Sequence, residues 1–216
     1  MARNKYPEET ERKIIAAAAK LFMEKGYENT SINDIIRELG GLTKGAIYHH
    51  FKSKEEIYDA VLYQITASND DAAVEIMARD DLNGREKLKA VLSNSLHYAM
   101  QEDYASIVPD YSKNPKLLYQ MLLEIKNEIS PLFILPIIEE GVRDGSIETD
   151  APGELSELLA FILNFWMNPF LFHSSRQETI RKCQIFSKML QAFHLDIVDE
   201  QILRQMSDLA EVAYEK

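Results

Sequence analysis

The sequence is short of cysteine, glycine and proline, and it has no long apolar run. Its single cysteine, Cys183, can form no internal disulfide and no thiolate metal cluster. Eight glycines and seven prolines in 216 residues exclude collagen-like and low-complexity chains. No apolar stretch approaches the ~18 residues that a membrane span needs, so no membrane partner is expected. A secretory signal pattern is also missing, with Arg3, Asn4 and Lys5 near the start of the chain. A cytoplasmic globular protein is the expectation. What is present is 46% apolar and 27% charged residues, enough to bury a core.

The net charge of -11 argues at first against a nucleic-acid partner. Its distribution points the other way. Residues 1–54 carry 10 Lys+Arg against 7 Asp+Glu, a net of +3; the remainder carries 14 against 28, a net of -14. Affinity for duplex phosphates depends on local basic groups that displace counterions, not on the global sum. A mildly basic head on an acidic body suits a protein that meets DNA at one end.

Apolar residues recur at helical spacing nearly everywhere, and alternating β-branched runs are missing, so the fold is read as all-α. The first helix follows Pro7, carries Glu8, Glu9 and Glu11 near its positive end, and closes on Lys25-Gly26. A second opens at Ser31-Ile32-Asn33-Asp34, a capping-box pattern, and stops at Gly40-Gly41. Thr43 caps a third over Lys44 to His50, and Ser53-Lys54-Glu55-Glu56 opens a long fourth. Later helices are expected at 85–101, 103–112, 116–143 (kinked near Pro131 and Pro136), 153–172, 175–194 and 199–214. The domain reading is a three-helix head over 1–54 and a helical body over 55–216, with the helix from 53 connecting them.

Thr30 to Lys54 is the informative segment: two short amphipathic helices around a glycine turn, the unit whose second helix can lie in a major groove. Ile47 and Phe51 are the only strongly apolar positions of that second helix. The rest of its surface, Lys44, Gly45, Ala46, Tyr48, His49 and His50, is left outward. Gly45 near a helix start costs ~1 kcal/mol of propensity relative to alanine, a cost that makes sense where backbone must approach another surface closely. Lys52 and Lys54 follow, placed to reach a sugar-phosphate strand.

These motifs together resemble the head of the tetracycline-repressor (TetR) family: a first helix ending in Gly-Tyr, then Thr-Ser, Asp-Ile-Ile, a glycine turn, Thr-Lys-Gly-Ala-Ile-Tyr-His-His-Phe and Lys-Ser-Lys-Glu-Glu. The resemblance spans about residues 10–62, with a weaker echo at Pro136-Ile-Ile-Glu-Glu-Gly141 and Asp144-Gly145. One departure is Gly40-Gly41-Leu42, a residue longer than the family's usual turn, which implies a slightly different angle for the recognition helix. The resemblance implies that Ser31 and Thr43 bind phosphate through hydroxyl and N–H. Lys44, Gly45 and His49 would face base edges, and Tyr48 a phosphate or a thymine methyl. His50, Lys52 and Lys54 would hold the backbone. It further implies a homodimer on a palindromic double-stranded DNA operator, released by an unidentified small-molecule inducer.

Within the body, Tyr98, Tyr104, Tyr119, Phe133, Phe165 and Trp166 are the candidate inducer-binding residues; at helical spacing they serve equally as core. Leu158, Ile162, Ile185, Met189 and Phe193 are the candidate dimer contacts, from two late helices with broad apolar faces. His49-His50 as a metal pair is opposed by their ~100° divergence on a helix, and Cys183 reads as either a small core hydrophobe or a redox thiol. The Glu-x-x-His, His-Glu-x-x-His, Gly-x-Ser-x-Gly and phosphate-loop patterns are all missing, so neither an enzyme nor a cofactor is expected. An interaction protein of the same shape that binds another regulator is the competing function.

Overall fold

The computed structural model describes residues 7–214; Arg3, Asn4 and Lys5 lie outside the described residues. Among these residues the secondary structure is entirely helical. The helices are α1 (Pro7–Lys25), α2 (Ile32–Leu39), α3 (Lys44–His50), α4 (Lys54–Met77), α5 (Gly84–Ala99) and α6 (Glu102–Ile107). They continue as α7 (Pro115–Glu124), α8 (Leu135–Asp144), α9 (Pro152–Phe161), α10 (Pro169–Phe172), α11 (Arg176–Leu190) and α12 (Glu200–Tyr214). Two compact units result, one running to Ala67 and including Glu102–Pro109, the other made of Ser68–Gln101 and the residues from Asp110 onward. The division falls inside α4, not at the expected 54/55 boundary. Ile57, Tyr58 and Val61 in its opening turns are buried, so these turns are integral to the first unit.

The first unit is built on a small aromatic and aliphatic core. Ile14, Ala18, Leu21 and Phe22 form the inner stripe of α1, at the spacing of three and four that one helix face requires. Gly26 adopts φ +78 and ends the helix. That left-handed turn lets Tyr27 fold back, its ring centroid 5.4 Å from Phe22 and 5.1 Å from Tyr58. Ile35 and Ile47 supply the buried contacts of α2 and α3.

The second unit is helix on helix. α5 crosses α8 so closely that a Cβ on Gly84 would stand 2.3 Å from the Gly141 backbone. Beside that crossing, the Gly84 N–H donates to Asp144 Oδ2 at 2.7 Å and the Arg85 N–H to Ser146 Oγ at 3.1 Å. The buried Lys87 ammonium donates to both Glu140 carboxylate oxygens (2.7 and 2.8 Å) and to the Met77 carbonyl at 2.8 Å, which ends α4.

Several expected helices are interrupted. The 116–143 helix extends over 115–144, but Ile125–Ile134 is π-helical: the Leu135 N–H reaches the Ser130 carbonyl, one residue further back than in an α-helix. Pro131, which has no N–H to give, lies within that stretch. The 153–172 helix turns π-helical at Ile162–Trp166 and breaks at Asn168, whose side chain caps the Phe170 N–H of α10. The expected 103–112 helix stops at Ile107, because Pro109 pushes Val108 away from helical backbone. The 175–194 helix ends at Leu190 and tightens to a 3₁₀ turn over Gln191–Phe193.

Cys183 is a core residue, 1% exposed, with its sulfur 3.5 Å from that of Met206. Burial pushes the thiol up to about 11, so the nucleophilic thiolate is scarce at neutral pH. Native protein at pH 7 should leave Cys183 unmodified by a thiol reagent over a period in which denatured protein reacts fully. Rapid native labelling would revive the redox reading.

Candidate nucleic-acid interface

Local capping sets the geometry of α2 and α3. Ser31 Oγ accepts from the Asp34 N–H at 3.2 Å, and Asp34 Oδ2 accepts from the Ser31 N–H at 2.8 Å, a complete capping box. Gly40 closes α2 at φ +61, and Thr43 Oγ1 accepts from the Ala46 N–H at 3.3 Å to open α3. At the start of α4, Ser53 Oγ accepts from the Glu56 N–H. The Glu56 carboxylate returns to the Lys52 N–H at 2.6 Å, one residue earlier than the expected box places it.

With Ile47 fully buried, α3 has a defined inner side. Lys44, Gly45, Tyr48 and His49 are exposed, Tyr48 at 43%. Lys44 Nζ lies 5.8 Å from the Tyr48 ring centroid, so cation and ring share one outer face. Thr43 and Lys52 are also exposed. Two expected contacts turn inward. The His50 side chain is only 7% exposed, with Nδ1 3.9 Å from Glu11 Oε2, because residue 50 follows Ile47 by three and shares its face. Lys54 directs its ammonium to the carbonyls of Tyr27 (2.8 Å) and Thr30 (3.0 Å). Ser31 is exposed, but its N–H and its hydroxyl both bond Asp34, so the expected phosphate donors are committed to its own helix cap. The His49 and His50 rings lie 5.4 Å apart at 76°. Among the described residues no group of three or more His, Cys, Asp or Glu could hold a metal ion.

An open depression of about 400 Å³ lies where α2 and α3 begin, lined by Thr30, Ser31, Ile32, Asn33, Lys44 and Lys54 among others. Its carboxylate neighbour Asp34 is held down to about 2 by the Ser31 hydroxyl and N–H, with Arg37 assisting. A lowered carboxyl stabilises the cap above its ordinary 3.8 and loses that effect as pH falls toward 2. Amide exchange at Ser31 and Asp34 should therefore accelerate between about pH 4 and pH 2, beyond the intrinsic pH trend. Unchanged protection across that window would remove the carboxylate from the cap.

The body residues separate into groups. Tyr98, Phe133, Phe165 and Trp166 are half-buried, Tyr119 is 61% exposed on α7, and Tyr104 belongs to the first unit. A groove of about 650 Å³ in the second unit is lined instead by polar side chains that include Glu86, Lys89, Ser93, Asn94, Gln201 and Gln205. Of the apolar contact candidates, Leu158, Ile185 and Met189 are exposed and Phe193 is half-buried, while Ile162 is buried inside its own unit. Phe161 and Phe172, neither of them among the expected dimer contacts, are exposed in its place. A shift of one helical position turns a side chain by ~100°, which accounts for the exchange of Ile162 for Phe161. Among the described residues no helix is long and apolar enough to cross a membrane.

A three-helix head with one outward basic and aromatic helix is the architecture of a helix-turn-helix module. The family model described as "Bacterial regulatory proteins, tetR family" matches residues 14–61. The HTH-type transcriptional repressor KstR2 of Rhodococcus jostii (strain RHA1) is 32% identical over 148 residues, covering 66% of this chain and 70% of that protein. The transposon Tn10 TetC protein of Escherichia coli is 26% identical over 193 residues, 88% of this chain and 93% of its own length. A crystal structure of a TetR-family transcriptional regulator from Pectobacterium atrosepticum, 22% identical, covers 89% of this chain and 97% of that one with a TM-score of 0.64. The last is a likeness of fold. The chain belongs to the tetR family of DNA-binding transcriptional regulators.

Proposed function

We propose that the protein is a homodimeric repressor that places α3 of each copy in the major groove of a palindromic operator and is released by a small molecule. The observation that carries this is the outward quartet Lys44, Gly45, Tyr48 and His49 opposite a buried Ile47. Thr43 and Lys52 flank the quartet as phosphate contacts, and the first-turn N–H groups of α2 take the role expected of Ser31. Repression is favoured by the similarity to KstR2, itself a transcriptional repressor.

Dimerisation is assigned to the exposed apolar set Leu158, Phe161, Ile185 and Met189, together with the half-buried Phe193. The inducer is assigned to the half-buried aromatics Tyr98, Phe133, Phe165 and Trp166, whose rings can wall an apolar ligand. A bound ligand shifts the heads only by its unequal affinity for two arrangements, typically ~1–3 kcal/mol.

Selection from a random duplex library tests the reading. Enrichment of an inverted repeat bound by two copies of the chain is expected. Failure to enrich any duplex, with stable capture of another regulator, would assign the protein to the interaction class instead.

A further inference from the structure

Lys54 is the one basic residue of the head whose ammonium is held by main-chain oxygens of a different segment among the described hydrogen bonds. It opens α4, yet its Nζ donates to Tyr27 and Thr30, on the bridge between α1 and α2. The same Nζ stands 3.9 Å from the Tyr27 ring centroid, close enough for cation–π attraction. Burial lowers its pKa, with Glu28 and Glu55 acting in the opposite direction.

The bridge it grips also meets α4 through the Tyr27 ring, whose centroid lies 5.1 Å from that of Tyr58. Thr30 Oγ1 bonds the carbonyls of Leu21 and Gly26, and the Thr30 N–H bonds Tyr27, which ties the bridge to the end of α1. Lys54 adds two hydrogen bonds from α4 to the bridge backbone. Residue 31, the next in the chain, is the N-cap of α2. Whatever fixes the Thr30 carbonyl therefore fixes where the first turn of α2 begins.

We infer that Lys54 is a positioning residue for duplex binding: it braces α4 to the Tyr27–Thr30 bridge and so sets the first turn of α2 for a phosphate, without contacting the phosphate itself. An ammonium has three donors, and two are committed here to neutral carbonyls. The inference rests on the DNA-binding reading above and reverses the backbone contact expected of this lysine.

Salt dependence separates the two roles. A lysine that neutralises one phosphate contributes about 0.9 to the slope of log affinity against log salt. Lys54→Met keeps the stem and removes the ammonium. With a short mixed-sequence duplex, its affinity should fall about tenfold, as loss of charge-assisted hydrogen bonds implies, while the slope stays at the wild-type value. Amide exchange should rise at Ile32, Asn33 and Asp34 and not along α1. Lys54→Arg, which can donate to both carbonyls, should recover most of the affinity.

A slope reduced by about 0.9, or an affinity that does not change, overturns the inference and leaves the DNA reading intact. If wild type binds no duplex at any salt concentration, both fail. Should Lys54→Met not fold, the side-chain ¹⁵N resonances of wild type decide. Addition of the duplex should move those of Lys44 and Lys52 and leave that of Lys54 in place; a comparable shift at Lys54 overturns the inference.

Discussion

Replacing Lys44, Tyr48 and His49 together with alanine is expected to weaken binding to the selected duplex more than a hundredfold, at about 1–3 kcal/mol per lost contact. The fold should survive, because all three side chains are exposed, whereas Ile47 and the His50 side chain hold the inner face of α3. Residual weak binding should persist and remain salt-sensitive, since phosphate attraction does not need base edges. Lys52→Ala is the contrasting change: its loss should be similar for all duplexes and should lower the salt slope by about 1. Equal affinity of the triple variant and wild type for the selected sequence would remove α3 from the groove. Circular dichroism on the same samples separates lost contacts from a lost helix.

Gly84→Ala is expected to be the most destabilising single methyl in the second unit. The added Cβ would lie 2.3 Å from both Cα and N of Gly141 and 2.8 Å from the Ile137 carbonyl, all backbone atoms that no rotamer change can move aside. Helices α5 and α8 would have to separate, which strains the Gly84–Asp144 and Lys87–Glu140 hydrogen bonds beside the crossing. Overpacking of this kind costs about 3 kcal/mol or more, and a chain of this length loses roughly 2–4 °C of Tm per kcal/mol. A fall in Tm of roughly 10 °C is the expected scale. Gly153→Ala, whose Cβ would meet nothing within 4 Å, is the control and should leave Tm nearly unchanged. A small effect at Gly84 would mean the helices can part cheaply.

The head is legible from sequence because its signals are local. Ser31, Thr43, Gly26 and Gly40 each act within a few residues of themselves, and each caps where its chemistry says it should. The inward turn of His50 is legible too, once its spacing from Ile47 is weighed above its charge. That of Lys54 is not: its acceptors lie 24 and 27 residues earlier, and nothing in a linear pattern pairs a lysine with two distant carbonyls. The body is harder for a related reason. Its helices are apolar on broad faces, so their spacing does not say which side meets a neighbour in the same unit, and Ile162 and Phe161 exchange roles. Pro109 and Asn168-Pro169 do carry breaks that periodicity alone runs through.

The burial of Cys183 has a practical corollary. Because the lone native thiol is shielded among α11 and α12 side chains, a cysteine introduced at an outward site on the recognition helix would have no competing background. A spin label or fluorophore attached there would serve as a molecular ruler in the otherwise unaltered chain, reading the separation of two heads in the proposed homodimer with and without candidate inducers.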